Sequence, residues 1–324
     1  MLDLKRYHLK YTVVAIGIAT AFFVTPLAAA PFAYISNQLG DSVSVIDTAQ
    51  GRVVDTLAVS GKPAGVAVSP DGGKVYISTP EAKGFAVLDA NKREVIAKVS
   101  GLDGALGIAT GSDGKRIYVA DWFKKTVSVI DASSLKIIKT IVVGESPSGL
   151  IVSPDNRWLY VANRLSNSVS KIDLTQLTVK STVPVGTHPF GLTLDGRGER
   201  LYVANVQSDD VTVLETARMK SIATVKVNML PYAATLALND SRLLVTNQDD
   251  GSVSVIDTET LKEIGLIDVG DKPEGIGTLP DDRHVYVANW FDSTVSVIDA
   301  RIMKVIDTIK TGEGSRAFGQ FISK

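Results

Sequence analysis

The pentapeptide Leu159-Tyr160-Val161-Ala162-Asn163 decides the fold, because variants of it recur along almost the whole chain. The second residue of each copy falls at intervals of 42 residues, at Tyr34, Tyr76, Tyr118, Tyr160, Tyr202, Leu244 and Tyr286. An acidic residue follows each of them at a constant distance, at Asp47, Asp89, Asp131, Asp173, Glu215, Asp257 and Asp299. Self-similarity at a fixed period of this length indicates a repeat architecture.

Each repeat contains four short runs rich in valine, isoleucine, tyrosine and threonine. The run Val43-Ser44-Val45-Ile46-Asp47 alternates apolar and polar residues, which is typical of a β-strand. Turn-forming residues such as Ser153-Pro154-Asp155-Asn156 separate the runs. The sequence therefore predicts an all-β fold, a seven-bladed β-propeller with four antiparallel strands per blade.

The phase of the repeat predicts how the ring closes. The first copy starts at Ala33 with a second strand, and the last copy ends with a first strand over Ala317 to Ile322. We therefore expect the C-terminal strand to join the N-terminal blade, so that no sheet edge is left open.

The first thirty residues have the layout of a secretory signal peptide. Lys5, Arg6 and Lys10 precede an uncharged stretch that ends in small residues, which predicts cleavage near Ala29 or Ala30. An uncleaved membrane anchor is the alternative, since about 20 apolar residues can span a bilayer. We expect residues 31–324 to form a single propeller that is periplasmic or secreted, monomeric, and without stable membrane association after cleavage.

Composition narrows the chemistry. The chain has no cysteine, which excludes covalently attached haem, thiolate-bound metals and thiol catalysis. The formal net charge of −1 becomes −3 without the leader, so neither nucleic acid nor an anionic membrane is favoured as partner. The two remaining histidines, His188 and His284, are expected on opposite faces. We therefore predict no cofactor, no metal site and no catalytic residues.

The repeated Tyr-Val-Ala-Asn, Val-Ser-Val-Ile-Asp and Ser-Pro-Asp-Gly elements resemble the YVTN-repeat β-propeller family, which includes YncE-like proteins of the bacterial periplasm. The resemblance covers Ala33 to Lys324. It implies the fold but no single function, because the family includes surface-layer proteins, a binder of single-stranded DNA and components associated with quinone-dependent catabolism.

Function is predicted at the positions where the repeats differ. Loops between second and third strands share one face of a propeller with the crossovers between blades, and variable loops on a fixed scaffold commonly carry binding residues. In the loops and crossovers of this face the candidate partner-binding residues are Trp122, Phe123, Lys124, Arg164, His188, Phe190, Tyr232, Lys272, Glu274, Trp290, Phe291 and Arg316.

The leading interpretation is an exported, non-catalytic binding or scaffold protein that docks a periplasmic protein or an extended ligand on this face. It rests on the regularity of the repeats, since no insertion builds a separate site. One alternative is single-stranded nucleic-acid binding, with bases stacked on the aromatic rings. Another is a propeller enzyme of lactonase type, or an accessory of a quinone-dependent dehydrogenase, with Glu274, Arg316, Asp271 and His188 as the available groups.

Overall fold

Seven sheets, antiparallel apart from one short parallel pair, surround a central channel in the computed structural model, which describes residues 31–323. The prediction of a seven-bladed β-propeller is thus confirmed. The predicted signal peptide, residues 1–30, lies outside the described residues. Within the described part of the chain the only helix is a 3-10 turn, Pro80–Ala82, and no helix is long and apolar enough to span a bilayer.

The strands of blades 1 to 4 are β1 (Phe32–Asn37), β2 (Ser42–Asp47), β3 (Arg52–Ala58), β4 (Val66–Val68), β5 (Lys74–Thr79), β6 (Gly84–Asp89), β7 (Glu94–Ser100), β8 (Ala105–Thr110), β9 (Arg116–Asp121), β10 (Thr126–Asp131), β11 (Ile137–Val142), β12 (Pro147–Val152), β13 (Trp158–Asn163), β14 (Ser168–Asp173) and β15 (Thr178–Pro184). Those of blades 5 to 7 and the closing segment are β16 (Pro189–Leu194), β17 (Arg200–Asn205), β18 (Asp210–Glu215), β19 (Lys220–Lys226), β20 (Pro231–Ala237), β21 (Arg242–Asn247), β22 (Ser252–Asp257), β23 (Lys262–Asp268), β24 (Pro273–Thr278), β25 (His284–Asn289), β26 (Thr294–Asp299), β27 (Lys304–Lys310) and β28 (Gly319–Gln320).

Burial differs with the position of a strand in its blade. The second strand of a complete blade, such as β13, is buried along nearly its whole length, because neighbouring blades pack on both of its faces. Outermost strands such as β7 and β15 instead alternate exposed and half-buried residues. The repeated tyrosines, Tyr160 among them, are buried, and the core therefore lies between the blades.

The acidic residues at the ends of the third strands are turn residues, as the spacing indicates. Asp47 accepts hydrogen bonds from the backbone N–H groups of Ala49 and Gln50, and Asp173 accepts them from Thr175 and Gln176. Such side-chain bonds to the backbone stabilise tight turns. These carboxylates therefore belong to the scaffold.

The ring closes through the C-terminal segment, but with less regular strand structure than expected. Single antiparallel bridges join Ala33 to Ile322 and Asn37 to Ser315, while β28 pairs in parallel with β4 of the second blade. The expected strand over Ala317 to Ile322 is thus reduced to two residues. The reason is the backbone: Ala317 and Gly319 have positive φ values of 43° and 102°, which interrupt an extended strand.

Candidate functional site

The candidate site lies at one end of the channel, on the face that carries the loops between second and third strands, which we call the upper face. A cavity of about 390 Å³, the upper pocket, opens there. Its lining comes from crossover residues and from loop residues and consists of Leu106, Phe190, Tyr232, Glu274, Arg316, Gln38, Pro80, Gly104, Trp122, Phe123, Arg164 and Gln248. All seven blades therefore contribute to it.

Arg316 connects a carboxylate and a phenol in this pocket. Its Nε donates to Glu274 Oε2 at 2.6 Å, and its Nη2 donates to the Tyr232 hydroxyl at 2.7 Å. Gln248 Nε2 donates to the other oxygen of Glu274 at 2.8 Å. The planar fork of the guanidinium thus places the carboxylate and the phenol side by side.

The electrostatics of this group follow from burial. Burial raises the pKa of Glu274 above its ordinary value, against the opposing charge of Arg316. Burial also raises the pKa of Tyr232, so its hydroxyl stays protonated and can donate a hydrogen bond. Burial lowers the pKa of Arg316, but the neighbouring Glu274 carboxylate and Tyr232 hydroxyl outweigh this and raise it, so the guanidinium stays charged.

Arg164 supplies a second guanidinium, which has no carboxylate partner. Its central carbon lies 5.9 Å from the ring centroid of Trp122 and 6.0 Å from that of Phe190. Burial lowers the pKa of Arg164, and the other groups that shift it are Tyr232 and Arg316, not a carboxylate. A cation between aromatic walls, unpaired within residues 31–323, is suited to bind an anionic ligand.

Three aromatic rings separate the upper pocket from the channel below. The ring centroids of Phe190 and Tyr232 are 4.1 Å apart, and Phe318 meets Phe190 edge to face at 5.2 Å. We call Phe190, Tyr232 and Phe318 the aromatic plug. All three are buried; Phe190 and Tyr232 line the upper pocket, and Phe318 lines the channel on the other side.

The remaining candidate residues lie on the upper face but do not line the upper pocket. Lys272 forms an ion pair with Asp249. Trp290 donates from Nε1 to Gln38 at 3.2 Å and packs against Phe291, which is 59% exposed.

Lys124 and His188 also occupy the upper face. Lys124, next to a Phe123 that is 73% exposed, pairs with Asp103 at 2.6 Å. His188 is half-buried, and its Nδ1 has no hydrogen-bond partner among residues 31–323. Its pKa is lowered mainly by burial and, to a smaller extent, by the positive charge of Arg164. His284 pairs with Asp281 among the turns of the opposite face.

Gln38 and Gln248 were missed as site residues, although a signal was present. Both directly follow the last residue of a second strand, as Trp122 and Arg164 do. A comparison of this position in all seven repeats would have identified Gln38 and Gln248, together with Pro80, as residues near the pocket.

Two family models match parts of the chain. The model described as "Lactonase, 7-bladed beta-propeller" matches residues 95–221, and that described as "Cytochrome D1 heme domain" matches residues 199–317. Each covers less than half of the chain. No curated protein matches.

Solved structures support the same fold. Hydrazine synthase of Kuenenia stuttgartiensis is 22% identical, with a TM-score of 0.75, covering 88% of this chain and 99% of that one. A functionally unknown protein from Desulfotomaculum acetoxidans is 15% identical, with a TM-score of 0.77, covering 89% and 99%. Dihydro-heme d1 dehydrogenase NirN in complex with DHE is 15% identical, with a TM-score of 0.68, covering 87% of this chain and only 64% of that one.

These matches correct the leading interpretation. One matching model is named for a lactonase and the other for a haem domain, so the prediction of a non-catalytic binding or scaffold protein is wrong. The matches favour the enzymatic alternative. The regularity of the repeats misled the interpretation, because the upper pocket is built from variable residues in loops of constant length and needs no insertion.

The donor set of the upper pocket does not fit a haem. Haem iron is held by histidine, cysteine, methionine or tyrosine. Among the described residues that line the pocket, only Tyr232 is of these types, and its hydroxyl accepts a hydrogen bond from Arg316 and is kept protonated by burial. His188 lies outside the lining. Moreover, no group of three or more potential metal ligands occurs within residues 31–323.

Proposed function

We propose that the protein hydrolyses a small lactone or ester that carries an anionic group, and that the reaction takes place in the upper pocket. The observation that carries the proposal is the fork of Arg316, which holds the Glu274 carboxylate and the Tyr232 hydroxyl side by side in a pocket with the free cation of Arg164. The match to the lactonase model supports the reaction class.

Each group has one role in the proposed reaction. Glu274 accepts a proton from water as the oxygen bonds to the ester carbonyl carbon, and a carboxylate with a raised pKa is suited to this role. Tyr232 donates to the carbonyl oxygen as it becomes negative. When the tetrahedral intermediate collapses, the bond to the ring oxygen breaks and that oxygen takes the proton back from Glu274. Arg164 binds the anionic group of the substrate.

The first test compares two matched substrates, γ-butyrolactone and its carboxylate-bearing form, 5-oxotetrahydrofuran-2-carboxylate. Proton release in a pH-stat measures hydrolysis. We expect a preference of roughly 10- to 100-fold in kcat/KM for the carboxylate-bearing lactone, the range expected for a hydrogen bond to a charged group. Arg164→Gln should remove this preference, while Arg197→Gln, at an arginine that is 81% exposed, should keep it.

The second test addresses the chemical step. Glu274→Gln should lower kcat by about 10²–10⁴ and remove the limb of the pH profile on which the rate rises as Glu274 ionises. Because this change leaves Arg316 buried without its partner, Tyr232→Phe is the companion variant; it keeps the ion pair and should lower kcat by about 10². Glu199→Gln, at an exposed glutamate, is the control. Unchanged kcat in both site variants contradicts the proposal.

Export is part of the proposal. The basic and apolar layout of residues 1–30 is that of a signal peptide, and the repeat motifs resemble those of periplasmic YncE-like propellers. We therefore propose that the enzyme acts outside the cytoplasm. Fractionation followed by mass spectrometry of the N-terminus should find a mature chain that starts near Ala30 or Pro31.

A further inference from the structure

Below the aromatic plug the channel widens into a second cavity of about 600 Å³, the lower chamber. The innermost strands form its wall, and Pro70 and Pro280, in turns of the lower face, lie at its mouth. Phe190 lines both this chamber and the upper pocket, while Tyr232 lines only the upper pocket and Phe318 only the chamber, so the aromatic plug lies between the two cavities. The volume is well within the range of about 300–1,000 Å³ that is typical of sites for small molecules.

The chamber differs in chemistry from the upper pocket. No ionisable side chain is among the described residues that line it, whereas the upper pocket has two guanidinium groups and a carboxylate. The wall contains the rings of Phe190, Phe318 and Phe321, together with aliphatic side chains such as Ile108 and Leu192. A charged ligand would lose its hydration here without gaining a partner, so the chamber selects against charge.

The hydroxyl groups of the wall are largely used within the wall itself. Thr278 donates to the carbonyl oxygen of Leu236 at 2.7 Å and is 3.0 Å from the Thr235 hydroxyl, and Thr110 donates to the carbonyl oxygen of Val68 at 3.2 Å. These hydroxyl groups are therefore less available to water in the chamber. An apolar ligand that displaces weakly held water gains affinity.

We infer that the lower chamber is a second small-molecule site, distinct from the upper pocket, and that it takes an uncharged compound with flat aromatic rings. Aromatic ligands pack well against phenyl rings in offset or edge-to-face arrangements. The aromatic plug keeps such a ligand apart from the anionic substrate above it.

Two dyes with the same ring system test the inference on the full chain. N-phenyl-1-naphthylamine is uncharged, and 1-anilinonaphthalene-8-sulfonate adds a sulfonate to the same rings. We expect the uncharged dye to bind at one site per chain with enhanced fluorescence, and the sulfonate to compete at least tenfold more weakly. Absence of binding, or equal competition by the sulfonate, would overturn the inference.

Variants locate the dye. Thr193→Trp fills the chamber and should weaken binding of the uncharged dye at least tenfold, while Thr193→Val preserves the shape of the wall and should bind the dye as the wild type does. Arg164→Gln alters a side chain that lines the upper pocket but not the chamber, and it should leave dye binding unchanged. Thermal unfolding shows whether Thr193→Trp is folded; if it is not, Leu192→Phe, a smaller filling change, replaces it. Binding that survives filling of the chamber, or that is lost with Arg164→Gln, contradicts the assignment.

Discussion

At the scale of single residues, two cations without carboxylate partners, the half-buried Arg164 and the buried Lys171, distinguish this chain from a regular repeat. Arg164 lines the upper pocket, where a ligand can neutralise it. Lys171 instead lies between blades 4 and 5, where the other six repeats have valine. Its Nζ donates to the carbonyl oxygen of Thr216 at 2.7 Å and lies 4.1 Å from the ring centroid of Trp158. The first cation belongs to the site and the second to the scaffold.

Lys171 should make stability depend on pH. Burial lowers the pKa of Lys171 in the folded state, while the unfolded chain has the ordinary value of about 10.4. Between these values the unfolded state binds more protons, so the free energy of unfolding rises with pH. Urea unfolding of the wild type and of Lys171→Met, from pH 7 to pH 10, should show the wild type gaining stability relative to the variant. Parallel pH dependences would show that Lys171 titrates normally in the folded protein.

The site could be predicted from the sequence in part. The crossover residues Phe190, Tyr232, Glu274 and Arg316 were among the predicted binding residues, and all four line the upper pocket. The sequence does not show which of these side chains contact one another, because the guanidinium of Arg316 binds residues 42 and 84 positions earlier in the chain. Trp290 was predicted as a binding residue but does not line the pocket. A contact distant in sequence is again the reason, since its indole donates a hydrogen bond to Gln38 of the first blade.

At the scale of strands, the glycines of the innermost strands bring the blades together. A Cβ atom on Gly107 would lie 1.8 Å from the carbonyl oxygen of Ser148 in the next blade, and one on Gly149 would lie 2.1 Å from that of Phe190. The repeated small residues therefore permit a close approach between neighbouring backbones. Five of the innermost strands, β8, β12, β16, β20 and β24, are interrupted at this place, as between Pro147 and Leu150.

Gly107→Ala should accordingly destabilise the fold. The added methyl group would meet backbone, which can only move together with its blade, and we expect a loss of about 1–3 kcal/mol in the free energy of unfolding. Gly73→Ala is the control, because the nearest atom to its added Cβ is a side-chain oxygen of Asp71 at 3.5 Å, an ordinary contact. Chemical denaturation should find that variant within about 0.5 kcal/mol of the wild type. Equal stability of the two variants would mean that neighbouring blades can move apart without loss of stability.

The strands themselves were predictable, and the closing segment was not. A period of 42 residues together with alternating apolar residues identifies every blade, because each blade must bury both faces of its inner strands. The sequence pattern from Ala317 to Ile322 reads as one more innermost strand. The positive φ angles at Ala317 and Gly319 depend on a position between two blades, which no local pattern reveals.

At the scale of the whole molecule, the closing segment joins the architecture to the site. The backbone N–H of Arg316 donates to the carbonyl oxygen of Ser36 in blade 1, while its side chain holds Glu274 of blade 7 and Tyr232 of blade 6. The residue that closes the ring is thus also the residue that assembles the upper pocket. The pocket can be complete only when the ring is closed.

Because the chain ends meet in blade 1, the position of the termini should be exchangeable. Ser323 donates from its backbone N–H to the carbonyl oxygen of Phe32 at 2.9 Å, and Phe32 donates to the Ser323 hydroxyl at 2.8 Å. A circular permutant can link residue 323 to residue 32 through a short glycine-serine linker and open the chain at the exposed turn of Asn91 and Lys92. This permutant keeps all the contacts that close the ring. We expect it to unfold in one transition, within about 5 °C of the wild-type Tm, since such turns tolerate new termini.

A second permutant sharpens this test. It carries the same linker but opens inside β21, at the buried Val245, and so breaks a strand that is packed between two blades. We expect this protein to be insoluble or to lose lactone hydrolysis, whereas the permutant opened at Asn91 should keep it, because its Arg316 still reaches Glu274 and Tyr232. If the permutant opened at Asn91 folds but fails to hydrolyse the lactone, closure of the ring is separable from assembly of the pocket. If both fail to fold, the contacts between the two ends do not suffice to hold the ring closed.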